Sequence, residues 1–148
     1  MIEEPFANAR CFKDKLNSYN NMVRALAASG KSNEGIKSCL NILSQLGEAI
    51  PHSITSDVYL SEVAQVQQLL HGKSKSDLLS LPMMTDQNKL ATMQFLNHAI
   101  IMGFQNHPTL NAVLVFRMIK CSIRYGVCNV SPFAFATYGI LQVSEPGR

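Results

Sequence analysis

Apolar residues in this chain recur with the period of an α-helix almost from end to end, and short polar breaks separate the recurrences. Phe12, Leu16, Tyr19, Val23 and Leu26 stand at i, i+4, i+7, i+11 and i+14, the spacing of one helix face, and predict a helix over 7–28. Ser29-Gly30 ends it, because Gly takes the left-handed cap conformation without steric cost. Ser32 is placed to cap a second helix whose buried face is Ile36, Leu40, Leu43, Leu46 and Ile50. The connection is short, which makes the two helices an antiparallel pair. Gly47 and then Pro51 stop the second helix, and a polar run over 52–57 leads into a third. Tyr59, Val63, Val66, Leu69 and Leu70 line the inner face of that third helix, and Gly72 ends it.

Residues 76–82 read as a single helical turn stopped by Pro82, with Leu78, Leu79 and Leu81 pinning it to the core. Thr85 or Asp86 caps the next helix, which runs to about Gly103. Its inner face is Leu90, Met93, Leu96, Ile100 and Phe104, while Asn88, Lys89, Thr92 and Gln94 point mostly outward. Pro108 follows the turn at Asn106-His107, at a first helical position where its missing N–H costs nothing. From Leu110 to Ile123 apolar residues cover more than one face, the mark of a helix with neighbours on several sides. Val, Ile and Phe there also suit a strand, so residues 112–119 carry an extended alternative. Gly126 closes this segment, Ser131 caps the last helix, and Phe133 to Val143 is apolar nearly all round. No later element covers the far side of that helix, so the chain reads as one helical-repeat domain over 1–148, a fragment of a longer array truncated after the helix at 132–143.

Composition agrees with a packed core. Apolar residues make up 47% of the 148 and charged residues only 16%, below the roughly 25% of an average soluble domain. That balance excludes a disordered chain and implies that part of the surface is a contact surface for protein partners or neighbouring domains. The net charge of +3 comes from 13 basic and 10 acidic residues spread along the chain, with only Lys73 and Lys75 forming a local basic cluster. Nucleic-acid binders concentrate their cations on one face or helix, so nucleic acid is excluded as a partner. The acidic start Met1-Ile2-Glu3-Glu4-Pro5 is not a signal peptide. The longest apolar run, Ala112 to Phe116, is far short of the roughly 20 residues of a membrane span. A soluble, cytoplasmic protein is expected.

Candidate chemistry is sparse. Cys11, Cys39, Cys121 and Cys128 show no CxxC spacing and read as free, buried or half-buried thiols. His52, His71, His98 and His107 fall singly and far apart, without metal-ligand spacing. Gly30-Lys31-Ser32 looks like the tail of a phosphate-binding loop, but the required Gly five residues ahead of Gly30 is Ala25, inside a helix, and no strand precedes it. Gly72-Lys73-Ser74 fails in the same way at Gln67, and both are read as caps and turns. Their separation of 42 residues is compatible with a helical-hairpin repeat of roughly 34–47 residues. No nucleophile elbow, zinc-protease motif or Cys–His pairing is visible, and the acidic residues have no spacing for paired acid/base work. Asn129-Val130-Ser131 matches a glycosylation sequon that a chain without a secretion signal would not use, and Met83-Met84 is core filler or contact surface. The residues thus point to no catalytic, cofactor-binding or metal site, and to a protein that is not an enzyme.

Three stretches carry a family resemblance: Ala25–Gly30 leading to Cys39–Leu43 and Leu46-Gly47, then Leu78–Asp86, then Tyr125-Gly126 with Ser131–Gly139. Their order and spacing resemble the helical, tetratricopeptide-like region that follows the nucleotide-binding domain in large multidomain signal-transduction ATPases carrying serine/threonine-kinase-like and histidine-kinase domains. The resemblance spans about residues 17–142 and rests on helix ends and packing positions. It implies an all-α fold of about six or seven helices, an array of antiparallel helical hairpins in a tetratricopeptide-like right-handed solenoid. It also implies a non-catalytic interaction or regulatory segment that relays or scaffolds signalling. The alternative is a free-standing α-helical adaptor that homodimerises through its apolar C-terminal helix.

Overall fold

The computed structural model describes residues 12–51 and 53–144, and among these the chain forms seven helices and no strand. They are α1 (Phe12–Ala28), α2 (Ser32–Gln45), α3 (Ser56–Leu70), α4 (Lys75–Leu79), α5 (Gln87–Gly103), α6 (Pro108–Tyr125) and α7 (Ser131–Ser144). The predicted start of the first helix at residue 7 lies outside the described residues.

Side-chain caps set several of these boundaries. Thr55 Oγ1 accepts the Val58 N–H at 3.2 Å and Asp86 Oδ1 accepts the Lys89 N–H at 3.1 Å, each satisfying a donor that a helix start leaves orphaned. Ser74 and Asp77 form a reciprocal capping box around α4, at 3.1 and 2.9 Å. The Asp77 carboxyl is held below the usual carboxylate range by its bonds to the Ser74 backbone and side chain. Ser32 does not cap α2. Gly30, at φ +75°, closes α1 with its N–H on Ala27 O while the Lys31 N–H bonds Leu26 O, so Lys31 takes the cap position and Ser32 is already helical. Ser131 is likewise the first residue of α7, and its hydroxyl works between helices. It accepts the Cys128 N–H at 3.0 Å and pairs with the buried Ser122 hydroxyl at 2.8 Å.

Helices α1 and α2, α5 and α6, and α6 and α7 pack as sequential pairs across short turns. Helix α2 lies on α5, α3 lies on α6, and α1 also touches α5. The α5–α6 hairpin is therefore the spine, and α6 meets α3, α5 and α7 at once. That is why Val113, Leu114, Val115 and Phe116 are buried in succession. The extended alternative over 112–119 is not realised: no neighbouring strand is present to pair a buried backbone there, and an 18-residue helix satisfies it internally. Phe116 stands edge-on to Tyr59 of α3 at 5.8 Å and to Tyr138 of α7 at 6.0 Å, so one ring ties three helices.

Three predicted orientations differ. Thr92 is fully buried, and its hydroxyl donates to Asn88 O at 2.8 Å, which satisfies it within its own helix and frees it to face the core. Phe104 falls one residue beyond α5, where the chain turns away, and is 72% exposed. Leu79 is 78% exposed and Leu78 and Leu81 are half-buried, so α4 is not pinned by its leucines. The segment after α4 is held by backbone instead: Val127 N–H donates to Pro82 O and Met84 N–H to Val127 O, both at 2.8 Å.

That clamp depends on Gly126. Its φ of +107° is open to Gly, and a Cβ there would lie 2.6 Å from Pro82 O and 2.9 Å from Met84 N. Gly126→Ala is expected to cost about 1–3 kcal/mol in urea unfolding, through backbone strain and loss of the clamp. An unchanged midpoint would show that the clamp does not contribute to stability.

Candidate functional site

Helix α7 has two unlike sides. Ala134 and Ser131 are buried against α6, with Phe135 and Tyr138 half-buried beside them. On the other side Pro132, Phe133, Ala136, Gly139 and Ile140 are all exposed, and none is polar. Their spacing of i, i+1, i+4, i+7 and i+8 is that of a single helix face. Phe133 is 43% and Ile140 67% exposed. Phe133 also lines an open groove of about 160 Å³ together with Ile100, Phe104, Pro108, Ala112 and Val115. An exposed apolar surface costs about 25 cal/mol per Å² left in water.

Asn111 lies in the same groove. Its amide N–H donates to Ile100 O at 3.1 Å, and its carbonyl oxygen has no hydrogen-bond partner among the described residues. A Cβ at Gly103 would come within 2.8 Å of that oxygen, so Gly103 is what allows α5 and α6 to cross this closely.

A second cluster, charged rather than apolar, lies where α3 meets α6. Arg117 donates from Nε to Glu62 Oε1 at 2.7 Å, and from Nη1 to Glu48 Oε1 at 2.8 Å and Ala49 O at 3.1 Å. Lys120 Nζ donates to Glu62 Oε2 at 2.5 Å and to Gln65 Oε1 at 2.7 Å. Glu48 is delivered by the turn that ends α2, where its own N–H bonds Leu43 O. Burial works against the charge on Arg117, but the bonds to Glu48 and Glu62 outweigh it and raise the guanidinium above its ordinary value. These residues, with Lys89, Arg124, Tyr125 and Cys121, line an open cleft of about 260 Å³. The Lys89 ammonium stands 4.5 Å from the centre of the Tyr125 ring, a cation–π contact.

No family model, curated protein or solved structure matches the chain.

The remaining sequence-level candidates are dispersed. Lys31 and Lys73 are exposed beside positive-φ glycines at the ends of α1 and α3, and Ser74 is occupied by its capping box. His71 is exposed, His98 Nε2 meets Asn20 Oδ1 at 2.6 Å, and His107 Nε2 meets Asn33 Oδ1 at 3.0 Å. Burial, then the nearby Arg24 charge, pushes His98 below its ordinary value. Among the described residues no three His, Cys, Asp or Glu side chains gather as metal ligands, and no helix is long and apolar enough to cross a membrane. Cys11 and His52 lie outside the described residues. Burial pushes the Cys39 thiol up to about 12 and the Cys121 thiol up to about 11, so both are protonated and poor nucleophiles at neutral pH.

Sequence reasoning missed the charged cleft. Arg117, Lys120 and Arg124 stand at i, i+3 and i+7, one face of α6, and that spacing was a usable signal. The acidic partners of Arg117 and Lys120 stand 55 to 69 positions away, which no local pattern reveals.

Proposed function

We propose that this chain is a non-catalytic helical interaction segment, and that the outer face of α7 with its adjoining groove is the surface it offers. The occupant is an apolar face of another protein helix, whose side chains would enter the groove between Phe104 and Phe133. The observation that carries this reading is the uninterrupted apolar face Pro132–Phe133–Ala136–Gly139–Ile140; among the described residues, Asn111 Oδ1 in the adjoining groove is the one buried side-chain polar atom without a hydrogen-bond partner. The resemblance described above supplies the setting, a regulatory segment within a multidomain signalling ATPase or kinase. The hairpins α1–α2 and α5–α6 support the finer description as a tetratricopeptide-like array, since each is two antiparallel helices across a short turn.

A second reading uses the same face differently: two copies pair through α7, and the chain is a free-standing adaptor. Light scattering across micromolar to millimolar concentration separates the two. The interaction-segment reading predicts graded, non-saturating association of the isolated chain, whereas the adaptor predicts a clean dimer. A strict monomer over the whole range would overturn both. Lys31→Ala is expected to leave an ATP titration of the chain unchanged, because Lys31 belongs to a helix-capping turn, and saturable micromolar affinity that disappears in this variant would contradict the non-catalytic reading.

A further inference from the structure

The charged cleft has more positive charge than its own ion pairs consume. Four cations, Lys89, Arg117, Lys120 and Arg124, and two carboxylates, Glu48 and Glu62, line it, while the Asp86 carboxylate, which accepts the Lys89 N–H and acts on Cys121 of the same cleft, brings the local excess to +1. Glu62 and Glu48 are committed to Arg117 and Lys120 by bonds of 2.5 to 2.8 Å. The field left over belongs to Lys89 and Arg124. Lys89 is held in place over the Tyr125 ring, and Arg124 forms no ion pair among the described residues.

These features have different origins in the fold. Lys89 comes from the first turn of α5, Arg124 and Tyr125 from the last turn of α6, and the buried Lys120 and Glu62 from the α3–α6 contact. The paired groups form a rigid floor, and the two uncommitted cations stand at a cavity large enough for a small anion. Positive groups beside an aromatic ring recognise a compact dianion, because a phosphomonoester carries about −1.5 to −2 at neutral pH and offers three strong acceptor oxygens.

We infer that this cleft is a binding site for a phosphomonoester group, with Lys89 and Arg124 as its primary contacts and Tyr125 beside the ester substituent. This site is separate from the apolar face of α7 and does not depend on it.

Inorganic phosphate and phenyl phosphate, each titrated calorimetrically into the full chain at low salt, test the inference. Both are expected to bind saturably in the millimolar range or tighter, and to weaken as salt is raised. Tighter binding of phenyl phosphate would identify an esterified group as the ligand, and equal binding would identify free phosphate. The double variant Lys89→Gln/Arg124→Gln removes the Lys89–Tyr125 cation–π contact but leaves the Glu48–Arg117–Glu62–Lys120 pairs intact, so it is expected to stay folded with a slightly lowered unfolding midpoint while losing affinity about tenfold or more. The single variant Arg124→Gln, which touches no described partner, serves if the double variant does not fold, with a smaller loss expected. Absence of saturable binding by wild type, or binding unchanged in these variants, would overturn the inference and leave the cleft as the solvated side of an ion-pair lock.

Discussion

Glu62→Ala is expected to lower the free energy of unfolding by about 3–5 kcal/mol, the cost of breaking a buried ion pair from one side. Glu62 is 4% exposed and accepts from both Arg117 and Lys120. Removing it leaves the 7%-exposed Lys120 with only the Gln65 amide, and leaves Arg117 with Glu48 and Ala49 O. Two cations would then share a desolvated site with one carboxylate, and α3 would lose its polar lock on α6. Urea denaturation followed by far-ultraviolet dichroism reads the loss directly. The cost should shrink when Glu62, Arg117 and Lys120 are removed together, in Glu62→Leu/Arg117→Met/Lys120→Leu, because the one charge then left unpaired, Glu48, is partly exposed and can be hydrated. A single-variant loss below about 1 kcal/mol would place the network in the class of solvated surface pairs.

Phe116→Ala should cost a similar amount, about 3–5 kcal/mol, from lost burial plus the cavity left behind. The ring is 1% exposed and makes edge contacts with Tyr59 and Tyr138, each worth about 0.5–1.5 kcal/mol beyond area. The loss therefore falls on α3 and α7 together. Near-ultraviolet dichroism of the two tyrosines should weaken in the folded variant. Phe116→Leu keeps most of the volume and should lose less than Phe116→Ala, and a Phe116→Leu loss near zero would show that the ring geometry contributes nothing.

Much of the helix layout was legible in the sequence because it is local. Periodic apolar positions placed Tyr19, Val23, Ile36, Leu40, Leu43, Val63, Val66, Met93 and Leu96 in the core, and all are buried. Gly30, Gly47, Gly72 and Gly126 marked helix ends, and Asp86 marked a start. Errors arose where two local rules competed. Ser32 and Ser131 are good cap residues, yet a glycine-closed turn before one and a buried partner for the other drew both inside their helices. Thr92 reads as outward by polarity, but its hydroxyl is satisfied by its own backbone. The charged cleft was legible only in its α6 cations, Arg117, Lys120 and Arg124 at helical spacing: Glu48, Glu62 and Lys89 join them only after α3 and α5 have packed on α6. The bare face of α7 was legible, since apolar residues surround that helix in the sequence and α6 can cover only one side.

The claim that the outer face of α7 is the working surface is tested most directly by hydrophobic-dye fluorescence of the wild type against Phe133→Glu/Ile140→Glu. Both side chains are exposed, so the substitutions should leave the unfolding midpoint unchanged or slightly raised. Wild type is expected to bind dye and to associate with rising concentration, and the double variant to do neither. Dye binding and association that persist in a folded double variant would place the contact surface elsewhere and contradict it.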